Sequence, residues 1–130
     1  TGRVVVGSWQ PSQQALPAFR IVAEELASEM TDPGGDRAMP LSDPEELRSE
    51  MEAAGFAVDV SPSSHTLHAA SVADLWTGLE RAHVALGVAR SQLPAPRYAG
   101  LSARIARRLR DELREGPQSL PMDAWLALGR

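Results

Sequence analysis

"TGRVVVGSW", residues 1–9, is the stretch that decides the architecture. Side chains alternate along a strand, so Val4 and Val6 share one face while Val5 and Gly7 share the other. Neither face is polar. A strand apolar on both faces belongs inside a sheet covered on both sides, typically a parallel α/β sheet. Gln10-Pro11 ends it, because proline has no N–H to give the ladder.

The closing segment "PMDAWLALGR" (121–130) has the same character. Met122, Ala124, Leu126 and Leu128 fall on one face, Trp125 and Ala127 on the other, and Asp123 is the exception. It reads as a second interior strand. "FAVDV" (56–60) differs, since Phe56, Val58 and Val60 alternate with Ala57, Asp59 and Ser61. That pattern suits a half-exposed edge strand, expected to break at Pro62 and resume around "HTLHA" (65–69). Two interior strands and one edge strand fit the order first–last–middle, with the last strand antiparallel between the others. The first strand is then left with one unpaired side, whose neighbours must come from elsewhere.

Helical periodicity fills the intervals. Leu16, Phe19, Val22, Leu26 and Met30 form one apolar stripe, with Arg20, Glu24, Glu25 and Ser28 opposite, predicting a helix over 16–30. "TDPGGDRAMP" (31–40) reads as a loop. In "LSDPEELRSEMEAAGF" (41–56), Ser42 reads as the N-cap, Glu45 as its capping-box partner and Pro44 as a first-turn residue. Leu47, Met51 and Ala54 are expected to face inward, and Gly55 to stop the helix. Ser71 caps a long helix over 72–90, "LPAPR" (93–97) breaks it, and a further helix over 101–115 closes at Gly116.

Composition narrows the function. The chain has 130 residues, within the range of one domain, and a net charge of −4 that argues against a general nucleic-acid binder. All thirteen basic residues are arginine, and the absence of cysteine excludes disulfides, thiolate metal sites and a cysteine nucleophile. With neither a signal peptide nor a twenty-residue apolar run, a soluble cytoplasmic protein is expected.

Taken with the strand order, several segments resemble the C-terminal half of class I S-adenosylmethionine-dependent methyltransferases of the broad small-molecule type. They are the turn and strand "GRVVVGSW", the strand-end Trp9, the "SDPEELRSEMEAAGF" helix leading to an outer strand, "SVADLW" (71–76) and the closing strand "PMDAWLALGR". The resemblance implies a partial Rossmann-like sheet equivalent to that family's fifth, sixth and seventh strands, the seventh running antiparallel between the other two. It implies one domain over 1–130, with residues 71–116 as a lid-like helical insertion. The family holds S-adenosylmethionine on a glycine-rich loop after its first strand, and the ten glycines here form no G-x-G. Such a loop needs close backbone approach without a Cβ. The expectation is therefore the substrate-side half of the enzyme, inactive alone, binding no cofactor alone and needing a cofactor-binding half. The alternative is a non-catalytic module that dimerises through residues 3–9 of a second copy.

Ligands of open α/β sheets sit beyond the carboxyl ends of the parallel strands. That places Trp9 as a candidate pocket wall and Gln10, Gln13 and Gln14 as candidate hydrogen-bonding groups for a small-molecule acceptor. The opposing reading packs Trp9 under the following helix. Trp76 is a candidate wall if the insertion is a lid. His83, on one helical face with Trp76, Leu79 and Leu86, is a candidate proton acceptor, against the commoner histidine satisfied by a backbone carbonyl. His65 and His68 point to opposite strand faces and form no metal pair. Five arginines lie in 104–114, but Arg107–Asp111 and Arg108–Glu112 are i,i+4 pairs beside the apolar seam Leu101, Ile105, Leu109, Leu113. An ion-paired helix face is expected there, with neither nucleic acid nor membrane as partner. Residues 24–52 hold ten acids and two arginines, expected mostly on helix exteriors; an attraction between the two patches across a dimer is open to them, but nothing demands it.

Overall fold

A computed structural model describes residues 2–30 and 41–130; the expected loop over 31–40 falls outside the described residues. The described residues form an α/β structure, with three strands in an open antiparallel sheet. Strand β1 is Val4–Trp9, β2 is Val58–Ala69 and β3 is Gln118–Gly129. Their order is β1-β3-β2, as strand polarity predicts. β1 and β3 are antiparallel, from Val4 opposite Gly129 to Trp9 opposite Ala124. β2 also runs against β3: Ala57 and Arg130 exchange backbone hydrogen bonds at 3.0 Å, and Ser64 meets Asp123 further along. Hence β1 and β2 are parallel, with a reversed strand between them.

Contacts divide the chain into two compact units. The first comprises β1 and its following turn, helix α3 (Pro44–Ala53) and most of β2 and β3. One sheet face packs on α3: Leu47, Met51 and Ala127 are buried together, with Val4, Val6, Val58, Val60 and Trp125 against them. Gly129 is buried here for lack of space. A Cβ on it would come within 2.8 Å of Val4 Cγ1 and 3.1 Å of Phe56 Cβ. The Trp125 indole N–H donates to the Ser42 carbonyl at 3.0 Å, joining β3 to the start of α3.

Helix α3 departs from expectation at its first residue. Its N-cap is Asp43, not Ser42: the Asp43 carboxylate accepts from the N–H groups of Glu45 and Glu46, and Pro44 occupies the first position. Proline is favoured at that position, and it makes its neighbour the cap. Glu45 makes no capping box; instead Glu46 accepts from the Leu41 N–H. The other end follows prediction. Gly55 has φ 94° and donates to the Glu52 carbonyl, while Phe56 N–H reaches the Met51 carbonyl, which together make a Schellman stop. Ala54 is exposed rather than inward, since the buried stripe ends with Met51.

Two further expectations about the strands change. β2 does not break at Pro62; it runs through, because an edge strand loses no ladder bond when the proline nitrogen faces outward. Among the described residues, the two-sided cover expected for β1 is missing. Val5 and Trp9 are 66% and 49% exposed, and Leu126 beside Gly7 is 39% exposed. α3 covers one face only.

The second unit is helical: α2 (Pro17–Glu29), α4 (Val72–Ala82), α5 (Val84–Gln92) and α6 (Ala95–Glu112), with the outer ends of β2 and β3. α2 packs on α6, and α4 on α5 and α6. Ile21, Val22, Leu86, Leu101, Ile105 and Leu109 are fully buried, each worth about 1.5–3 kcal/mol against exposure. Ile21 belongs to this core although the predicted α2 stripe omits it. Ser71 caps α4 as expected, accepting from Asp74 N–H at 3.1 Å. The single helix expected over 72–90 is two: His83, with φ −77° and ψ 114°, ends α4 and starts α5. α6 begins at Ala95, earlier than predicted, because Pro96 falls in its first turn, where proline costs no hydrogen bond.

Candidate functional site

The carboxyl ends of β1 and β2 lie on one side of the sheet, where ligands of open α/β sheets bind. Trp9 ends β1 there, and the chain turns at Pro11 into the short helix α1 (Ser12–Ala15). The turn is tied to β3. Gln10 N–H donates to the Asp123 carbonyl at 3.0 Å and its side-chain N–H to the Ala124 carbonyl at 3.3 Å. Gln13 N–H closes the turn onto the Gln10 carbonyl at 3.0 Å. The Gln13 side chain is buried and donates from Nε2 to the Pro121 carbonyl at 2.7 Å, while its Oε1 is buried without a protein partner. A buried, unpaired acceptor costs about 1–3 kcal/mol, so it is a feature the fold has to sustain.

Three of the predicted site residues, Trp9, Gln10 and Gln13, therefore meet at one rim. Their parts differ. Trp9 presents a half-exposed indole on the face that α3 leaves bare. The amide N–H groups of Gln10 and Gln13 are spent on β3 carbonyls, leaving acceptor oxygens. Gln14 lies in α1, and its side chain is outside the description. Asp123 and Ser64, joined at 2.6 Å beside this rim, were not among the predicted residues. Only the β2–β3 register brings them together, and no local motif carries that information.

Trp76 and His83 belong to the helical unit. Trp76 is buried in its core with Leu75 and Leu79. His83 lies beside the Phe19 ring, with centroids 6.2 Å apart, and its Nδ1 is buried without a partner. Burial pushes the His83 pKa below its ordinary value, favouring neutral imidazole. The hydrogen bonds at this residue are made by its backbone: its carbonyl accepts from Leu86 and Gly87, starting α5.

The basic run of α6 is a paired surface. Arg104 reaches Glu25 at 3.1 Å and Glu29 at 2.6 Å, and Arg97 reaches Glu29 at 2.9 Å. Arg108 reaches Glu24, Glu25 and Glu112, and Arg20 joins Glu24 to Glu112. The expected Arg108–Glu112 pair is present; Arg107–Asp111 is not among the ion pairs of the described residues. Acidic α2 and basic α6 thus neutralise each other within one chain, with no second copy required. Hydrogen bonds from Arg108, then Arg20, hold the Glu24 carboxyl below its usual range, and those from Arg104 do the same for Glu29.

Two surface grooves are distinct from the rim. One of about 280 Å³ is lined by Ser71, Val72, Ala73, Arg110, Glu115 and Gly116, and one of about 220 Å³ by Ala57, Val58, Asp59, Leu128 and Arg130. Neither contains a predicted site residue. Among the described residues there is no grouping of three or more histidine, aspartate or glutamate side chains able to hold a metal ion, and no helix long and apolar enough to cross a membrane. No protein-family model matches this chain, and no curated protein matches it in sequence.

Proposed function

We propose that this chain is the substrate-side half of an S-adenosylmethionine-dependent methyltransferase of a small molecule, catalytic only with a cofactor-binding half. The observation that carries the reading is the sheet: a reversed strand, β3, inserted between parallel β1 and β2, with the outer edge of β1 open. The methyltransferase family also has a reversed strand between two parallel ones, and the resemblance supports the reading. The rim supports the acceptor role, because Trp9 offers an aromatic wall while Gln10 and Gln13 hold the turn rigid behind it. Methyl transfer is an in-line displacement on an activated sulfonium, so positioning of the acceptor supplies much of the rate.

The bare sheet face favours this reading over a strand-paired homodimer. Antiparallel pairing of β1 with a second β1 has its two-fold axis normal to the sheet, which keeps equivalent faces on one side. Such a dimer fills the edge and leaves Val5, Leu126 and Trp9 in water. A half-enzyme that adds both a strand and a helical layer covers both.

The test uses the polypeptide extended by the residues encoded ahead of Thr1. Trp9→Ala should raise the acceptor KM by roughly tenfold, the scale of one lost aromatic contact, and leave S-adenosylmethionine affinity unchanged. Equal loss of cofactor affinity, or no methyl transfer from a folded extended protein, contradicts the assignment.

A further inference from the structure

Residues 83–90, "HVALGVAR", are apolar on both sides of a helix. Leu86 and Ala89 face the core of the helical unit, while Val84 is 81% exposed and Val88 40%. α5 therefore buries two side chains, where α2 and α4 bury four each. A helix held by so little apolar contact opens locally at lower cost than its neighbours.

Both ends of α5 are fastened by polar groups. At its start, the His83 N–H donates to the Leu79 carbonyl at 2.8 Å, and the His83 carbonyl accepts from Leu86 and Gly87 at 3.1 Å. The joint thus keeps its backbone bonded to both helices. Its imidazole sits against Phe19 of α2, and among the described residues the buried Nδ1 has no partner. Near the other end, Arg90 donates to the Glu80 carbonyl and to the Tyr98 hydroxyl, both at 3.2 Å. Its guanidinium lies 5.2 Å from the centre of the Tyr98 ring. Tyr98 and Ser102 of α6 in turn donate to the Glu80 carboxylate at 3.0 and 2.9 Å.

The two fastenings respond differently to a proton. Neutral imidazole tolerates an apolar contact, but imidazolium carries N–H on both nitrogens, and Nδ1 meets no acceptor among the described residues. The charged or titratable groups flanking the joint are Arg20 and Glu24 of α2, Glu80 and Arg81 of α4, Arg90 of α5 and Tyr98 of α6. Burial alone displaces the imidazole from its ordinary titration, so none of these groups offsets a charge there. Burial, first among its causes, pushes the Tyr98 pKa up, so that hydroxyl stays neutral through mild acid. We propose that His83 is an acid-operated joint: its protonation frees the start of α5 from Phe19, while Arg90, Tyr98 and Glu80 hold the far end in place.

Amide hydrogen exchange of residues 1–130, corrected for the intrinsic rate at each pH, tests it. Protection of the Leu86 and Gly87 amides should fall about tenfold between about pH 7.5 and 5.5, the factor by which opening gains from an imidazole of ordinary pKa near 6.5. Leu93 N–H, bonded to the Ala89 carbonyl, and Leu75 N–H, bonded to the Ser71 carbonyl, should keep their protection. In His83→Phe the protection of Leu86 and Gly87 should no longer change with pH. Protection at Leu86 and Gly87 that ignores pH in the parent chain overturns the inference, as does a pH response retained in His83→Phe. An equal loss at Leu75 or Leu93 also overturns it, since the whole unit or the whole helix then opens together. A ring-proton titration of His83 at or above about 6.5 in the parent chain overturns it whatever the variant does.

Discussion

Gln13 donates its side-chain N–H to the carbonyl of Pro121 at 2.7 Å, which fastens the turn after β1 to the start of β3. The bond is part-buried, and Gln13 itself is 6% exposed. Gln13→Ala leaves the Pro121 carbonyl without this donor and should cost about 1–3 kcal/mol. Gln13→Glu should cost more, because it turns a carboxylate toward that carbonyl. Urea denaturation of both variants measures the difference. Equal stability of Gln13→Glu and the parent chain contradicts the assignment of Nε2 as the donor.

The α2–α6 ion ladder should make the helical unit sensitive to acid. Hydrogen bonds from Arg20, then Arg108, hold Glu112 below the usual carboxylate range. Burial pushes Glu25 up, but hydrogen bonds from Arg104 and Arg108 outweigh it and its pKa is lowered. A carboxylate with a depressed folded pKa stabilises above its unfolded value, about 4.3, and loses that stability as pH falls through the folded one. Helicity followed by circular dichroism should therefore decline below about pH 4.3. Arg104→Gln together with Arg108→Gln should flatten that decline and reduce the dependence of melting on salt. An unchanged acid profile in the double variant contradicts a role for the ladder.

His83 sets a separate window. Burial lowers its folded pKa, so the unfolded chain takes up a proton first as pH falls. Stability is intact above the unfolded value of about 6.5 and declines as pH drops from there toward the folded one. Phe in place of His83 removes the titrating group beside Phe19, so the slope of stability between about pH 6.5 and 5 should vanish. Denaturation midpoints at several pH values measure it. A slope retained in His83→Phe assigns the effect to another group.

The strand order was legible because polarity was unequal among the strands. Two-sided apolar β1 and β3 and alternating β2 admit few arrangements, and β1-β3-β2 is the one observed. The helix boundaries were less legible where competing residues adjoin. Ser42 and Asp43 are both able to cap, and the proline after Asp43 decides between them. His83 breaks α4 from α5 although the apolar period runs on through Leu79 and Leu86, so the break carries no glycine or proline signal. At the site, Trp9, Gln10 and Gln13 were readable from their place after a strand. That the two glutamine amides serve β3 carbonyls was not, because a partner more than one hundred positions away is set by register. Likewise, acidic 24–52 and basic 104–114 were visible as patches, but only helix packing shows that Glu25 meets Arg104 and Arg108 within the chain.

Under the proposed function, residues 1–130 carry the acceptor half of a sheet whose cofactor half lies outside them. Calorimetric titration with S-adenosylmethionine tests it most directly, on residues 1–130 and on the polypeptide extended ahead of Thr1. No heat of binding is expected with residues 1–130, and saturable one-to-one binding is expected with the extended form. Saturable binding to residues 1–130 alone, or none to a folded extended form, contradicts it.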